Sequence, residues 1–389
     1  MAIKYCNPDL TSGDDDGTSE ANAFRTLAQC LTTGGADTLS AGDHLYIKKT
    51  SSAHDPGGAL TFNLDGGDTG EILIEGYGST PGDDTQFEIT GRQIDITGEE
   101  LRFKNISFTS SNGGSYTVNI TNAYRLFMLN CKFINTAHNT NTNALEITNG
   151  HGNTFIDCYI ETDGQHSGRN GAVFINNHKS AFFDGCVFRG DQGIGGNPIS
   201  GGGVIVLNSI FCSSSLDSQG DGRADIDTGI KLDLDPTNRL VWIQNCVFYD
   251  FDNEGIHFSD QEDSSAHSAG VCITNCIFVA STDSGSYAIE TSDSGVNVGY
   301  LFQNNAIYNC AGHTNGFAVT GLTGGNITLT ADPFVDGDNM DFRLNNVAGG
   351  GAECKGAGRP SSWQGVTGTN RFDVGAIITS GLGERISVS

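Results

Sequence analysis

Two groups of residues carry types and spacings that could do chemistry. The first is Asp217-Ser218-Gln219-Gly220-Asp221-Gly222-Arg223-Ala224-Asp225, with Asp227 just beyond it. Oxygen donors at alternate positions, with Gly for the tight turn, are what a Ca²⁺ loop needs, because about six to eight oxygens must wrap one ion. Asp217, Asp221 and Asp225 supply carboxylates, Gln219 stands where a further Asp would, and Arg223 would offer its backbone carbonyl. The twelfth position is Thr228 rather than Glu, so Asp227 has to compensate and affinity should suffer. The expected metal ligands are thus Asp217, Gln219, Asp221, Arg223, Asp225 and Asp227, with Ca²⁺ as the cofactor. A solvated acidic loop is the reading that needs no ion.

The second group is Asp252, Glu254 and His257, with Lys231, Asp233 and Asp235 one unit earlier in the chain. Period-two alternation puts Lys231, Asp233 and Asp235 on the outer face of their strand. Carboxylates that could hold a cation, beside a Lys that could act as a general base, are parts that proton abstraction next to a carboxylate would use. Exposed polar alternation is equally what any half-buried strand shows.

Both groups sit inside a repeat. Eight segments run apolar alternation, then Asn or a substitute, a small residue or Cys, a variable residue, and an aromatic or aliphatic one. Leu101-Arg-Phe-Lys-Asn105-Ile-Ser-Phe108, Phe127-Met-Leu-Asn130-Cys131-Lys-Phe133 and Val241-Trp-Ile-Gln-Asn245-Cys246-Val-Phe248 are examples, and the last is Leu301-Phe-Gln-Asn-Asn305-Ala-Ile-Tyr308. Their terminal apolar residues lie 25, 27, 28, 23, 37, 30 and 30 apart. Such a period means a solenoid or a propeller. Most units add a second short strand, such as Ile230-Lys-Leu232, Ile256-His-Phe258 or Ala288-Ile289. Two or three short strands per turn fit a right-handed parallel β-helix, an all-β solenoid, whereas a propeller blade needs four antiparallel strands. Roughly ten coils at ~4.8 Å give a rod of about 50 Å.

The repeated Asn belongs at a sharp corner, where it tolerates the left-handed conformation and can bond its neighbour in the next coil. Phe108, Phe133, Phe188, Phe211, Phe248 and Phe278 should form an inward ladder. Of the eleven Cys, residues 131, 158, 186, 246 and 276 follow the corner, which predicts a buried stack of small thiols. Cys6 and Cys30 could bridge or stay reduced. Ser19 to Leu31 reads as an N-terminal capping helix, with Thr18 or Ser19 at its start. The expected organisation is a lead-in and capping helix over 1–42, the β-helix over 43–330 and a closing segment over 331–389, in one structural domain.

Composition excludes some functions. Acidic residues outnumber basic ones 46 to 20, so the net charge of −26 argues against a nucleic-acid surface. No apolar run approaches the ~20 residues that cross a bilayer, and the first residues carry no h-region, so neither membrane insertion nor a secretory signal is expected. With only two Trp, a carbohydrate-binding face is not signalled.

The lead-in Asn7-Pro8…Asp16-Gly17-Thr18…Asn22-Ala-Phe24-Arg-Thr-Leu27…Ala41-Gly42-Asp43 resembles the opening of pectate-lyase-like β-helix proteins. Ala331-Asp332-Pro333-Phe334…Asp341-Phe342-Arg343-Leu344…Asp373-Val374-Gly375-Ala376 is similar to their closing segment. Gly150-His151-Gly152 resembles an element of the polygalacturonases. Asn141-Thr142-Asn143 nevertheless lacks their Asp, and no paired Asp or Arg-x-Lys follows, so His151 reads as a turn residue. The acidic motif at 217–225 resembles the loops of thrombospondin type-3-like repeats and dockerins. The opening without a signal is most similar to structural proteins of tailed bacteriophages. That resemblance implies a non-catalytic virion surface protein, a capsid decoration or a short fibre or spike. Its partners would be other virion proteins of the capsid or tail, a trimer of itself, and a host-surface glycan. The alternatives are a polysaccharide lyase or hydrolase acting on acidic glycans, and a calcium-dependent glycan-binding adhesin.

Overall fold

A computed structural model describes residues 1–358, except 32–38, 68–69, 92, 112–115, 138–141, 164–170, 199–201, 216–225, 234–239, 260–269, 282–284, 292–298 and 317–321. Its short strands stack in parallel register, each on the equivalent strand of the next coil. One face is a twelve-stranded sheet running from Ile3–Cys6 through Leu101–Lys104 and Leu240–Gln244 to Leu322–Gly324. The other two faces form a nineteen-stranded sheet, because the long strand Val247–Ser259 turns from one to the other. Its first half pairs Phe248 with Phe211 and Phe278, and its second half pairs His257 with Lys231 and Glu290. The chain is a right-handed parallel β-helix, the hand expected of parallel crossovers. The three faces are called here the first, second and third in chain order.

The corner between the first and second faces follows from one residue per coil. Asn105, Asn130, Asp157, Asn208, Asn245 and Asn275 all have φ between 49° and 58°, and Gly185 has 65°. Asn and Asp adopt this region more readily than other side chains, and Gly has no Cβ to clash. The Nδ2 of Asn130 donates to Oδ1 of Asn105 at 2.7 Å, and Asn245 donates to Asn208 at 3.1 Å, so the corners are tied along the axis. In the last unit the corner is Asn304, φ 55°, and not Asn305. Asn305 points inward at the position of the cysteines, where its Nδ2 donates to the Ile273 carbonyl at 3.0 Å. With two successive Asn, the amide that can bond in the core takes the inner place.

Cys131, Cys158, Cys186, Cys246 and Cys276 form the expected buried column, and their thiols donate to carbonyls of the preceding coil. Cys6 and Cys30 are free buried thiols. The aromatic ladder is equally regular. Ring centroids of Phe188, Phe211, Phe248 and Phe278 lie 4.6, 4.6 and 4.7 Å apart in sequence, with nearly parallel planes. A column of glycines faces them from the third face. A Cβ on Gly193, Gly229 or Gly255 would lie 2.3, 2.4 and 2.4 Å from Cδ1 of Phe211, Phe248 and Phe278. Gly229 and Gly255 lie two residues before Lys231 and His257 of the outer polar row.

At the N-terminus the helix spans Leu27–Leu31, rather than beginning at Ser19. The backbone N–H of Thr26 donates to Oε1 of Gln29 at 2.9 Å, the reach-back half of a capping box. Upstream, Asp16 accepts from the Thr18 N–H and hydroxyl at 2.9 and 2.7 Å, which commits those residues to a turn. At the other end, Phe334, Phe342 and Cys354 pack on the outside of the second face against Tyr249, Val247 and Val279. The Tyr249 hydroxyl donates to Asp338 at 2.7 Å.

His178 is a buried polar group with a measurable consequence. Its ring is 1% exposed, Nε2 lies 3.1 Å from the Asn153 amide nitrogen, and burial together with the charge of His151 pushes its pKa down to about 4. The unfolded chain binds this proton near pH 6.5 and the folded one does not, so the stabilisation is complete above 6.5. It is lost as pH falls from 6.5 towards 4. The depression corresponds to about 3 kcal/mol. The expected result is a melting temperature that drops across this window and drops less in His178→Gln; equal drops in both proteins refute the assignment.

Candidate active site

On the third face each coil buries an aliphatic residue and turns the next side chain outward: Ile230 then Lys231, Ile256 then His257, Ile289 then Glu290. Parallel register sets Lys231 beside His257, His257 beside Glu290 and Glu290 beside Asn315. Successive coils are ~4.8 Å apart, so these side chains form one row along the axis. Three residues earlier, Thr228, Glu254 and Tyr287 form a parallel row.

The rows meet in a cluster. One oxygen each from Glu254 and Glu290 and a ring nitrogen of His257 lie within 4.8 Å of one another. Nδ1 of His257 is 3.6 Å from Oε2 of Glu254, too long for a hydrogen bond, and this nitrogen is buried without a hydrogen-bond partner. Thr228 Oγ1 donates to Glu254 at 3.2 Å, and Asn315 Nδ2 donates to Glu290 at 2.8 Å. Burial opposes ionisation of Glu254, but His257, Glu290 and Thr228 outweigh it and hold its carboxyl below the ordinary value. Burial, then the hydrogen bond and charge of Glu254, raise Glu290. Lys231 is exposed beside this cluster and has no ion pair among the described residues.

Of the second sequence group, the structure brings Lys231, Glu254 and His257 together. Asp252 is outside the cluster, with its Oδ1 bonded by Ser281 at 2.6 Å, because the chain bends between Phe251 and Glu254. Asp233 accepts from Ser259 one step along the strand, and Asp235 lies outside the described residues. Glu290, Thr228 and Asn315 were not singled out from sequence. The signal for Glu290 was present, since it follows a buried Ile as Lys231 and His257 do.

Of the first group, Asp217, Gln219, Asp221, Arg223 and Asp225 lie outside the described residues. Asp227 is on the strand Ile226–Asp233, where Asn253 donates to its carboxylate. The stem before that loop is anchored: buried Glu161 accepts from the Ser215 N–H and hydroxyl at 2.7 Å each, and Arg189 donates to the Ser213 carbonyl at 2.7 Å. His151 lies between Asn143–Thr148 and Asn153–Ile156, in an isolated parallel bridge with Tyr124, its ring 4.8 Å from that of Tyr124.

The architecture is that of the pectate-lyase-like β-helices. A solved structure of the pectate lyase Pel9A aligns with a TM-score of 0.64 at 18% identity, covering 97% of this chain and 96% of that one. A rhamnogalacturonan lyase aligns with a TM-score of 0.54 at 12% identity over 89% of this chain and 95% of that one. No protein-family model and no curated protein matches the sequence. The expectation of a non-catalytic virion surface protein is corrected by these matches: both of these solved folds belong to polysaccharide lyases. The opening that suggested a phage protein reports no more than the β-helix fold, which these lyases share.

Proposed function

We infer that the protein is a lyase acting on an acidic, uronate-containing polysaccharide, with its site on the row Lys231, His257, Glu290. The observation that carries the reading is the register of that row: an uncommitted amine stands one coil from a His–carboxylate–carboxylate cluster. The Pel9A and rhamnogalacturonan lyase folds support it. Glu254, His257 and Glu290 would hold a divalent cation, and the orphaned Nδ1 of His257 fits a ligand role. The imidazole suits a borderline metal better than Ca²⁺, which prefers an all-oxygen shell. When bound, the cation would neutralise the substrate carboxylate and so acidify the neighbouring C5–H.

The residues divide the remaining work. Lys231 takes the C5 proton; the C4–C5 double bond forms as the C4–O bond breaks, and the leaving oxygen is protonated from solvent. Thr228 and Asn315 fix the two carboxylates by hydrogen bonds. A glycosidase reading fits less well, since Glu254 and Glu290 stand too close for a sugar to lie between them.

Polygalacturonate, rhamnogalacturonan and alginate are the test substrates, each with chelator and with added Mn²⁺ or Ca²⁺. The expected result is ultraviolet absorbance from unsaturated chain ends, lost with chelator and restored by metal. New reducing ends without that absorbance, or no cleavage of any of the three polymers, would overturn the reading.

A further inference from the structure

We propose that a cleft on the corner between the first and second faces is a separate binding site for an acidic saccharide. From Leu101–Lys104 to Gly299–Gln303 one left-handed residue per coil makes this turn, but between Ile72–Tyr77 and Phe87–Thr90 the chain inserts residues 78–86. The insertion is built, not loose. Asp83 accepts the backbone N–H groups of Gly78, Ser79, Thr80 and Thr85 at 2.9, 2.7, 3.1 and 3.1 Å. Gln86 then reaches two coils along the axis and donates to the Asn130 carbonyl at 2.8 Å. The loop thereby walls a cleft of about 490 Å³ against the Asn corner. That volume is in the range of small-ligand sites.

The lining suits one kind of ligand. Lys49, Lys104 and Lys132 converge on the cleft in a chain of net charge −26 with only 20 basic residues. Lys104 is committed, at 3.0 Å from both Glu75 and Asp84. The ammonium groups of Lys49 and Lys132 have no ion pair or hydrogen bond among the described residues, so two positive charges remain for a ligand. Asp84 and Asp157 line the same cleft, which leaves a net lining charge of 3 − 2 = +1. This balance disfavours a phosphate dianion and matches a carboxylate. Gln86 and the two Asp offer donors and acceptors for hydroxyl groups. A carboxylate among hydroxyls is a sugar acid. The cleft lies about four coils, or ~20 Å along the axis, from the row Lys231, His257, Glu290, and on a different face. The proposal does not rest on the lyase reading.

Calorimetric titration with trigalacturonate and trimannuronate tests it, with maltotriose as the neutral control and inorganic phosphate as the simple anion. The expected result is a binding event with at least one acidic trimer and none with maltotriose. That event should weaken with salt and fall tenfold or more in Lys49→Gln/Lys132→Gln, while Lys132→Arg retains it. Both lysines are at the surface, so an unchanged melting temperature shows that the variant is folded. The same titration on Lys231→Gln should keep this event, which separates the cleft from the catalytic row. Titrations of wild type and double variant that superimpose, or phosphate binding as tightly as the trimers, would overturn the proposal.

Discussion

Lys231→Gln is expected to lower the rate of polymer cleavage by about 10²- to 10⁴-fold, the usual contribution of a positioned general base. The effect should fall on kcat, with KM little changed, because the amine meets the substrate proton only as the bond breaks. Geometry singles out Lys231 among the cations of this face. It is exposed, in register with His257, and free of ion pairs among the described residues. Removing it takes away no buried contact, so the melting temperature should stay within about 1 °C of wild type, as for other surface substitutions of small ΔΔG. Steady-state rates from the absorbance of unsaturated ends are the measurement. A variant that keeps more than about a tenth of the wild-type rate removes Lys231 from the base role.

How much of this site could be read from the chain depended on which contacts the repeat dictates. The corner Asn and the residue after it recur at every coil, so the ladder, the thiol column and the Phe stack were legible. Asn304 was misplaced by one position because two adjacent Asn fit the pattern equally, and only the inward hydrogen bond of Asn305 decides between them. The helix start was misread because Thr18 and Ser19 offered hydroxyls, while the cap is made by the Gln29 side chain reaching back to the Thr26 N–H. Neighbours across coils were harder. Lys231, His257 and Glu290 are separated by loops of unequal length, so sequence distance says nothing of their contact; only strand register aligns them. The lysine cleft was invisible for the same reason, since Lys49, Lys104 and Lys132 come from different coils and an inserted loop completes the wall. The phage resemblance misled because it rested on the opening of the chain, which is set by the fold and not by what the faces do.

Phe248→Ala is expected to cost about 3–5 kcal/mol of stability, because it removes the middle ring of a stack and leaves a cavity the coil cannot collapse. Its neighbours are Phe211 at 4.6 Å and Phe278 at 4.7 Å, both stacked nearly parallel to it. The ring also lies against Gly229, where a Cβ would sit 2.4 Å from its Cδ1 and 2.6 Å from the Gly255 carbonyl oxygen. Gly229→Ala should therefore destabilise by overpacking, by about 1–3 kcal/mol. The two changes are coupled, since Phe248→Ala opens the space that the added methyl needs. Gly229→Ala should cost less in the Phe248→Ala background than in wild type, with the remainder set by the Gly255 carbonyl, which does not move away. Denaturant unfolding of the four proteins of this cycle gives the coupling directly. Additive costs would show that the glycine column is not there to admit the Phe stack. The coupling also reaches function: Gly229 and Gly255 immediately precede the buried Ile residues that turn Lys231 and His257 outward. A stack that fixes these glycines fixes the strand register, and the register alone sets the amine beside the carboxylate cluster. Gly229→Ala should accordingly reduce the cleavage rate more than its loss of stability accounts for.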